Sequence, residues 1–200
     1  MHISIADFCF HQLKSMGKDV IMKKDLELRE NDIDDRDLLI SLGKIPMLIE
    51  NLLGGDGTFL RSSGVIQSPD LPILGINTDP QRSTGHLCTH KIFNEKKESQ
   101  IERIFDQLEK DNFEYFYRQR INFMMESPGT GEKTNKLVLN EIFVAEQDTG
   151  KTSIYRLIVD NTYLGKFKSS GIIISTGTGS SGWLFSARRI TSSDVRTILN

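Results

Sequence analysis

Glycines crowd the chain where a single carboxylate also stands. The stretch is Gly54-Gly55-Asp56-Gly57-Thr58, and Phe59 and Leu60 behind it begin an expected helix. Glycine lets the backbone turn tightly and bares its N–H groups to a ligand. A helix start just behind adds partial positive charge, so the place suits phosphate oxygens. A carboxylate inside such a nest repels the phosphates it sits beside, which argues against packing filler. Asp56 makes sense as a base aimed at a hydroxyl, or as a ligand for a metal ion that comes with the phosphates. The plainer reading is a strand-to-helix turn with Asp56 capping the helix.

The surroundings of this stretch read as a layered α/β unit. Ile5, Phe8, Cys9, Leu13 and Met16 fall at helical spacing, and Gly17 supplies a stop. Val20-Ile21-Met22 reads as a short strand, Lys23 to Asp37 as a charged turn or short helix, and Leu38-Leu39-Ile40 as a buried parallel strand. Gly43 to Leu53 then separates that strand from the glycines, although a phosphate loop normally follows its strand directly. Either Met47-Leu48-Ile49 replaces the strand, or the segment bulges and loosens the loop; its expected origin is a short retained intron. Reverse-transcribed message lacking its codons is the expected observation; message carrying them refutes the intron. Phe59 to Ile66 reads as a helix, Pro69 to Pro72 as a turn, and Ile73 to Ile76 as a strand. Asn77-Thr78-Asp79-Pro80 ends that strand with turn chemistry, where open α/β sheets bind ligands. Ile101, Ile104, Phe105 and Leu108 form an amphipathic helix stripe.

Near Asn112 the texture changes, and a second, β-rich domain is expected from residue 113. Its strand candidates are Tyr115 to Met125, Leu137 to Ala145, Ser153 to Asp160, Tyr163 to Phe167 and Gly171 to Thr176. Ile172-Ile173-Ile174 delivers a second glycine cluster, Ser175-Thr176-Gly177-Thr178-Gly179-Ser180-Ser181-Gly182-Trp183. Its hydroxyls and bare backbone suit a sugar or phosphate, and Trp183 suits a base; a hairpin turn with Trp183 in the core is the alternative. Asn140-Glu141 reads as a pair that holds ribose hydroxyls, or as a solvated strand start. His86 reads as an acid, base or ligand, or as a hydrogen-bonded structural histidine.

Totals exclude several classes. A net charge of −2 over 200 residues gives no basic field for nucleic acid or a membrane surface. Arg118 and Arg120 beside Tyr115, Phe116 and Tyr117 therefore read as a twisted strand with charged outer residues. Cys9 and Cys88 make neither a disulfide framework nor a metal quartet. No apolar run approaches a membrane span. Met1 to Ala6 lack the form of a signal or transit peptide.

Together these motifs resemble the NAD kinase family. Gly54-Gly55-Asp56-Gly57-Thr58 matches its phosphate motif, and Gly75-Ile76-Asn77-Thr78-Asp79-Pro80 continues it. Asn140-Glu141 matches its NE pair, and Ser175 to Ser181 its hydroxyl-rich loop, with Gly177 where proline is usual. Arg82-Ser83, Gly85-His86-Leu87-Cys88, Tyr117-Arg118-Gln119-Arg120 and Lys168-Ser169-Ser170-Gly171 look like the animal mitochondrial branch. The resemblance implies a Rossmann-like parallel α/β domain over residues 1–112 and an incomplete β-sandwich over residues 113–200. It implies ATP-dependent phosphorylation of the adenosine ribose 2′-hydroxyl of NAD, with Mg²⁺ bridging the ATP phosphates. Asp56 would be the general base; Gly54, Gly55, Gly57, Thr58 and Asn77 would hold phosphates. His86, Leu87, Asn140, Glu141, Ser181, Gly182, Trp183 and Ser186 would line the NAD pocket. It further implies a mitochondrial location and a homodimer of the full-length form.

Departures from the pattern are the insert before Gly54, Ser170 where many members carry an acidic residue that touches NAD, and Trp183 where many carry tyrosine. Family members also continue past the point corresponding to Asn200 and have a first strand before the point corresponding to Met1. The competing expectation is therefore a truncated product that binds nucleotide without turning it over. A lipid kinase sharing the glycine–aspartate core is the remaining alternative, and Asn140-Glu141 and the Thr176 to Ser181 loop argue against it.

Overall fold

A computed structural model describes residues 5–23, 29, 38–42, 55–81, 85–93 and 95–199. The insert at 43–53, Gly54, most of the charged stretch at 23–37, and Arg82 and Ser83 lie outside the described residues. The chain divides into two units, residues 1–117 and 118–200.

In the first unit, α1 (Ile5–Ser15) forms where the apolar spacing places it. It ends at Gly17, whose φ of +73° is the left-handed conformation glycine takes without strain. The Gly17 and Lys18 N–H groups fold back onto the carbonyls of Lys14 and Leu13 at 3.0 and 3.1 Å and close the last turn. Strands β1 (Leu39–Leu42), β2 (Ile73–Asn77) and β3 (His90–Lys91) form a parallel sheet in that order, with Leu39 opposite Ile73 and Ile76 opposite His90. Helix α2 (Gly55–Val65) connects β1 to β2 in the chain and packs against both strands, and α3 (Lys97–Glu109) packs against α1. Cys9, Ile76, Ile92, Ile101, Ile104 and Phe105 form the buried cluster, with Ile76 and Ile101 wholly shielded. Each such side chain contributes roughly 1.5–3 kcal/mol of burial.

Two expectations are corrected. Val20-Ile21-Met22 is not a strand: the segment is irregular, and Ile21 and Met22 are about half exposed. A short apolar run becomes a strand only where a neighbour offers its backbone. Helix α2 begins at Gly55 and not at Phe59, so Asp56, Gly57 and Thr58 belong to its first turn. Asp56 there meets the positive end of the helix dipole, which favours a carboxylate and offsets the poor helix propensity of glycine.

The second unit is built of antiparallel pairs. Strands β4 (Ile121–Glu126) and β5 (Lys133–Val138) form a hairpin. Strands β6 (Glu141–Val144) and β9 (Ile172–Ser175) pair with Glu141 opposite Ser175. Strands β7 (Ser153–Val159) and β8 (Thr162–Ser169) turn through Asp160 and Asn161, at φ +49° and +62°, the pair of left-handed residues a two-residue hairpin needs. A 3₁₀ turn (Gly179–Ser181), α4 (Trp183–Arg188) and α5 (Ser192–Leu199) follow. The single strand expected over Leu137 to Ala145 is two strands separated by a bend at Leu139 and Asn140, and the strand expected from Tyr115 starts only at Ile121. Trp183 is 48% exposed and opens α4, which corrects the hairpin-core alternative.

The packing of α2 on β2 depends on Gly75. A Cβ there would stand 2.5 and 2.9 Å from the Phe59 ring and 3.1 Å from Cys88 Cα. Phe59 is buried, so its ring has nowhere to retreat. Gly75→Ala is expected to lower stability by about 1–3 kcal/mol, read as the shift in a denaturant midpoint at unchanged slope.

Candidate functional site

The first unit gathers its polar groups at the carboxyl end of β2. Asp56, half buried in the first turn of α2, turns its carboxylate toward the segment after Gly85. The His86 N–H donates to Asp56 Oδ2 at 2.6 Å; the Leu87 and Cys88 N–H groups donate to Oδ1 at 2.9 and 3.3 Å. A carboxylate has about four lone-pair positions. With Oδ1 carrying two of these bonds and Oδ2 one, one position on Oδ2 remains beyond them. Gly85 makes this approach possible. Its φ is +32°, and a Cβ there would lie 2.8 Å from Asp56 Oδ1 and 3.5 Å from Asn77 Nδ2.

Asn77 is 1% exposed at the end of β2. Its Oδ1 accepts the Asp79 N–H at 3.0 Å, closing the turn that the sequence predicts, and its carbonyl accepts the Ile92 N–H at 2.8 Å. Asp56, Asn77 and the Gly85–Cys88 segment are therefore one cluster. His86 contributes its backbone, with its side chain exposed, whereas the Leu87 side chain is buried. Gly57 is exposed, Thr58 half buried, and a Cβ at Gly57 would meet nothing within 4 Å. The fold itself thus makes no demand for glycine at 57.

The second unit gathers Asn140, Glu141 and the Ser175–Trp183 loop. The Thr176 N–H donates to the Asn140 carbonyl at 2.8 Å, and Thr176 Oγ1 donates to the Leu139 carbonyl at 2.6 Å. Gly179 lies so close to the Asn140 backbone that a Cβ would overlap its carbonyl group. Gly182 lies over the pair itself: a Cβ there would be 3.8 Å from both Asn140 Nδ2 and Glu141 Oε2. Asn140 Oδ1 and Glu141 Oε2 are buried and have no hydrogen-bond partner among the described residues, while both residues are half buried. Trp183 packs on Phe143 with ring centroids 4.8 Å apart, Ser181 and Ser186 are exposed, and Arg118 Nη1 donates to Thr178 Oγ1 at 3.2 Å. Sequence reasoning assigned no role to the backbone of His86–Cys88 and read the Thr176 hydroxyl as facing a sugar or phosphate, whereas both act on partners far along the chain.

The first unit is a parallel α/β unit with a carboxylate at a helix start, and the second holds antiparallel strand pairs and a hydroxyl-rich loop. The chain is a relative of the NAD kinases. "NAD kinase 2, mitochondrial" of Homo sapiens is 26% identical over 235 residues, covering 100% of this chain and 50% of that protein. The NAD kinase of Clostridium tetani is 34% identical over 182 residues, covering 86% of this chain and 62% of that protein. Yeast NADH kinase, solved in complex with NADH, shares the fold at TM-score 0.60 and 19% identity, over 90% of this chain and 49% of that one. The chain thus spans about half the length of the human and rat relatives it matches. No family model matches it.

Burial, with the Asp56 charge adding to it, pushes the Cys88 thiol up to about 12, and burial pushes the Cys9 thiol to about 12 as well. Both are raised, so below that range each holds its proton and neither offers the nucleophilic thiolate. Native protein at pH 8 is expected to resist iodoacetamide at both residues, with alkylation appearing on unfolding; peptide mass spectrometry reads the result, and rapid native labelling of Cys88 contradicts the packing.

Proposed function

We propose that the protein phosphorylates the 2′-hydroxyl on the adenosine ribose of NAD, using ATP and yielding NADP and ADP. The observation that carries this reading is a pair of buried oxygens, Asn140 Oδ1 and Glu141 Oε2, that lie under a glycine and have no partner among the described residues. A buried acceptor without a donor costs roughly 1–3 kcal/mol. Sugar hydroxyls supply donors of the right kind and relieve that cost on binding. Trp183, half exposed beside Phe143, offers a face to a base.

Asp56 acts as the general base. Its remaining Oδ2 position accepts the proton of the ribose hydroxyl as that oxygen bonds to the γ-phosphorus, while the bond from phosphorus to the ADP oxygen breaks. The three N–H donors keep the carboxylate aimed, which is where most phosphoryl-transfer catalysis lies. Gly55, Gly57, Thr58 and Asn77 hold the phosphates, Gly54 with them by family resemblance; Gly57 is open to such an approach. By family resemblance, His86 and Leu87 contact NAD. A Mg²⁺ would come in with ATP, held by its phosphates. When bound, that ion neutralises charge developing on the phosphates. Likeness to the animal relatives, named mitochondrial, extends the reading to a mitochondrial enzyme; a homodimer of the full-length form follows from the family resemblance alone.

Purified protein incubated with ATP, Mg²⁺ and NAD is expected to form NADP. Asp56→Asn should lower turnover about 10²–10⁴-fold, the usual worth of a general base, with NAD affinity nearly unchanged. Undiminished turnover removes Asp56 from the reaction. Wild-type protein that binds NAD and forms no NADP establishes the binding-only alternative instead.

A further inference from the structure

We propose that Thr176 is a positioning residue for dinucleotide recognition, acting through the Asn140–Glu141 backbone. The inference rests on the reading of that pair as the NAD-holding group. Thr176 directly follows β9, whose last pairing sets Ser175 opposite Glu141. Its N–H extends the ladder by one rung to the Asn140 carbonyl at 2.8 Å. Its hydroxyl then does two things at once. It donates to the Leu139 carbonyl at 2.6 Å and accepts the Gly179 N–H at 3.0 Å. One oxygen therefore ties together the bend before β6, the end of β9 and the 3₁₀ turn. Ser175 Oγ adds a longer bond to the Asn140 carbonyl at 3.4 Å.

The consequence falls on the recognition pair. Asn140 Oδ1 and Glu141 Oε2 have no hydrogen bond within the described residues. No such bond to either oxygen fixes where it points, so backbone placement and packing set the aim. Gly179, buried against the Asn140 main chain, packs it from the loop side, and Thr176 holds Gly179 there. Loss of the hydroxyl frees the loop from the bend and lets the bare oxygens drift from the positions a ribose requires.

Serine keeps both hydrogen-bond functions and valine keeps the shape without them, so Thr176→Val and Thr176→Ser separate the hydroxyl from the packing. In the ligand-free protein, amide exchange at Gly179 should accelerate about tenfold in Thr176→Val and stay within about twofold of wild type in Thr176→Ser, as expected for one average hydrogen bond. NAD titrated against the fluorescence of Trp183, the sole tryptophan, should bind about tenfold more weakly to the valine variant and near normally to the serine variant. Should the valine variant fail to fold, Thr176→Ala against Thr176→Ser makes the same comparison. Unchanged Gly179 exchange, wild-type NAD affinity in the valine variant, or failure of serine to restore affinity overturns the proposal. If wild-type protein does not bind NAD, the kinase reading fails, and the Gly179 exchange comparison alone decides whether Thr176 holds the loop.

Discussion

Three consecutive backbone N–H groups, of His86, Leu87 and Cys88, converge on one carboxylate, and the polar end of the first unit depends on that convergence. Hydrogen bonds to an ionised group are worth about 1.5–3 kcal/mol each before solvent screening, and Asp56 is half exposed, so the net gain is smaller. The geometry matters more than the sum. The bonds join a helix start to a segment some thirty residues later, and they bring Gly85 and Asn77 into the same cluster. β2 makes this possible: its buried Ile76 anchors the sheet while Asn77, one residue on, stands at the carboxyl end.

The elements legible in the sequence are those whose signal is local. The stripe Ile101, Ile104, Phe105 and Leu108 gives α3, and Gly17 gives the end of α1. The apolar runs at Leu38 and Ile73 give β1 and β2. The illegible features are non-local. Nothing near Leu139 announces a bend; the alternation of Leu137 to Ala145 runs straight through it. The bend exists because the carbonyls of Leu139 and Asn140 turn to Thr176, more than thirty residues away. Likewise, the glycines around Asp56 signal a loop, whereas the helix reaches back to Gly55. Of the site, the residue types and their order were readable; which backbone atoms hold them was not.

The two units use the same device with opposite results. In the first, backbone donors are spent on a side-chain carboxylate, which fixes its direction. In the second, backbone acceptors are spent on Thr176, and Asn140 Oδ1 and Glu141 Oε2 have no partner among the described residues. Glycine is required in both for the same steric reason. At Gly85 a Cβ would press on the carboxylate, and at Gly179 it would overlap the Asn140 carbonyl.

On the proposed function, that contrast gives the two carboxylates different tasks. A group whose acceptor positions are mostly filled gains little from another neutral donor; what it retains is a fixed direction and one open position. Such a group suits a single proton transfer along a set line. A buried carboxylate oxygen with no donor gains a whole hydrogen bond from any hydroxyl that reaches it, and so suits binding. Asp56 is the first kind and Glu141 the second. Exchanging the two environments would exchange the roles: a bare Asp56 would bind a hydroxyl without aiming at it, and a saturated Glu141 would have nothing to offer a ribose.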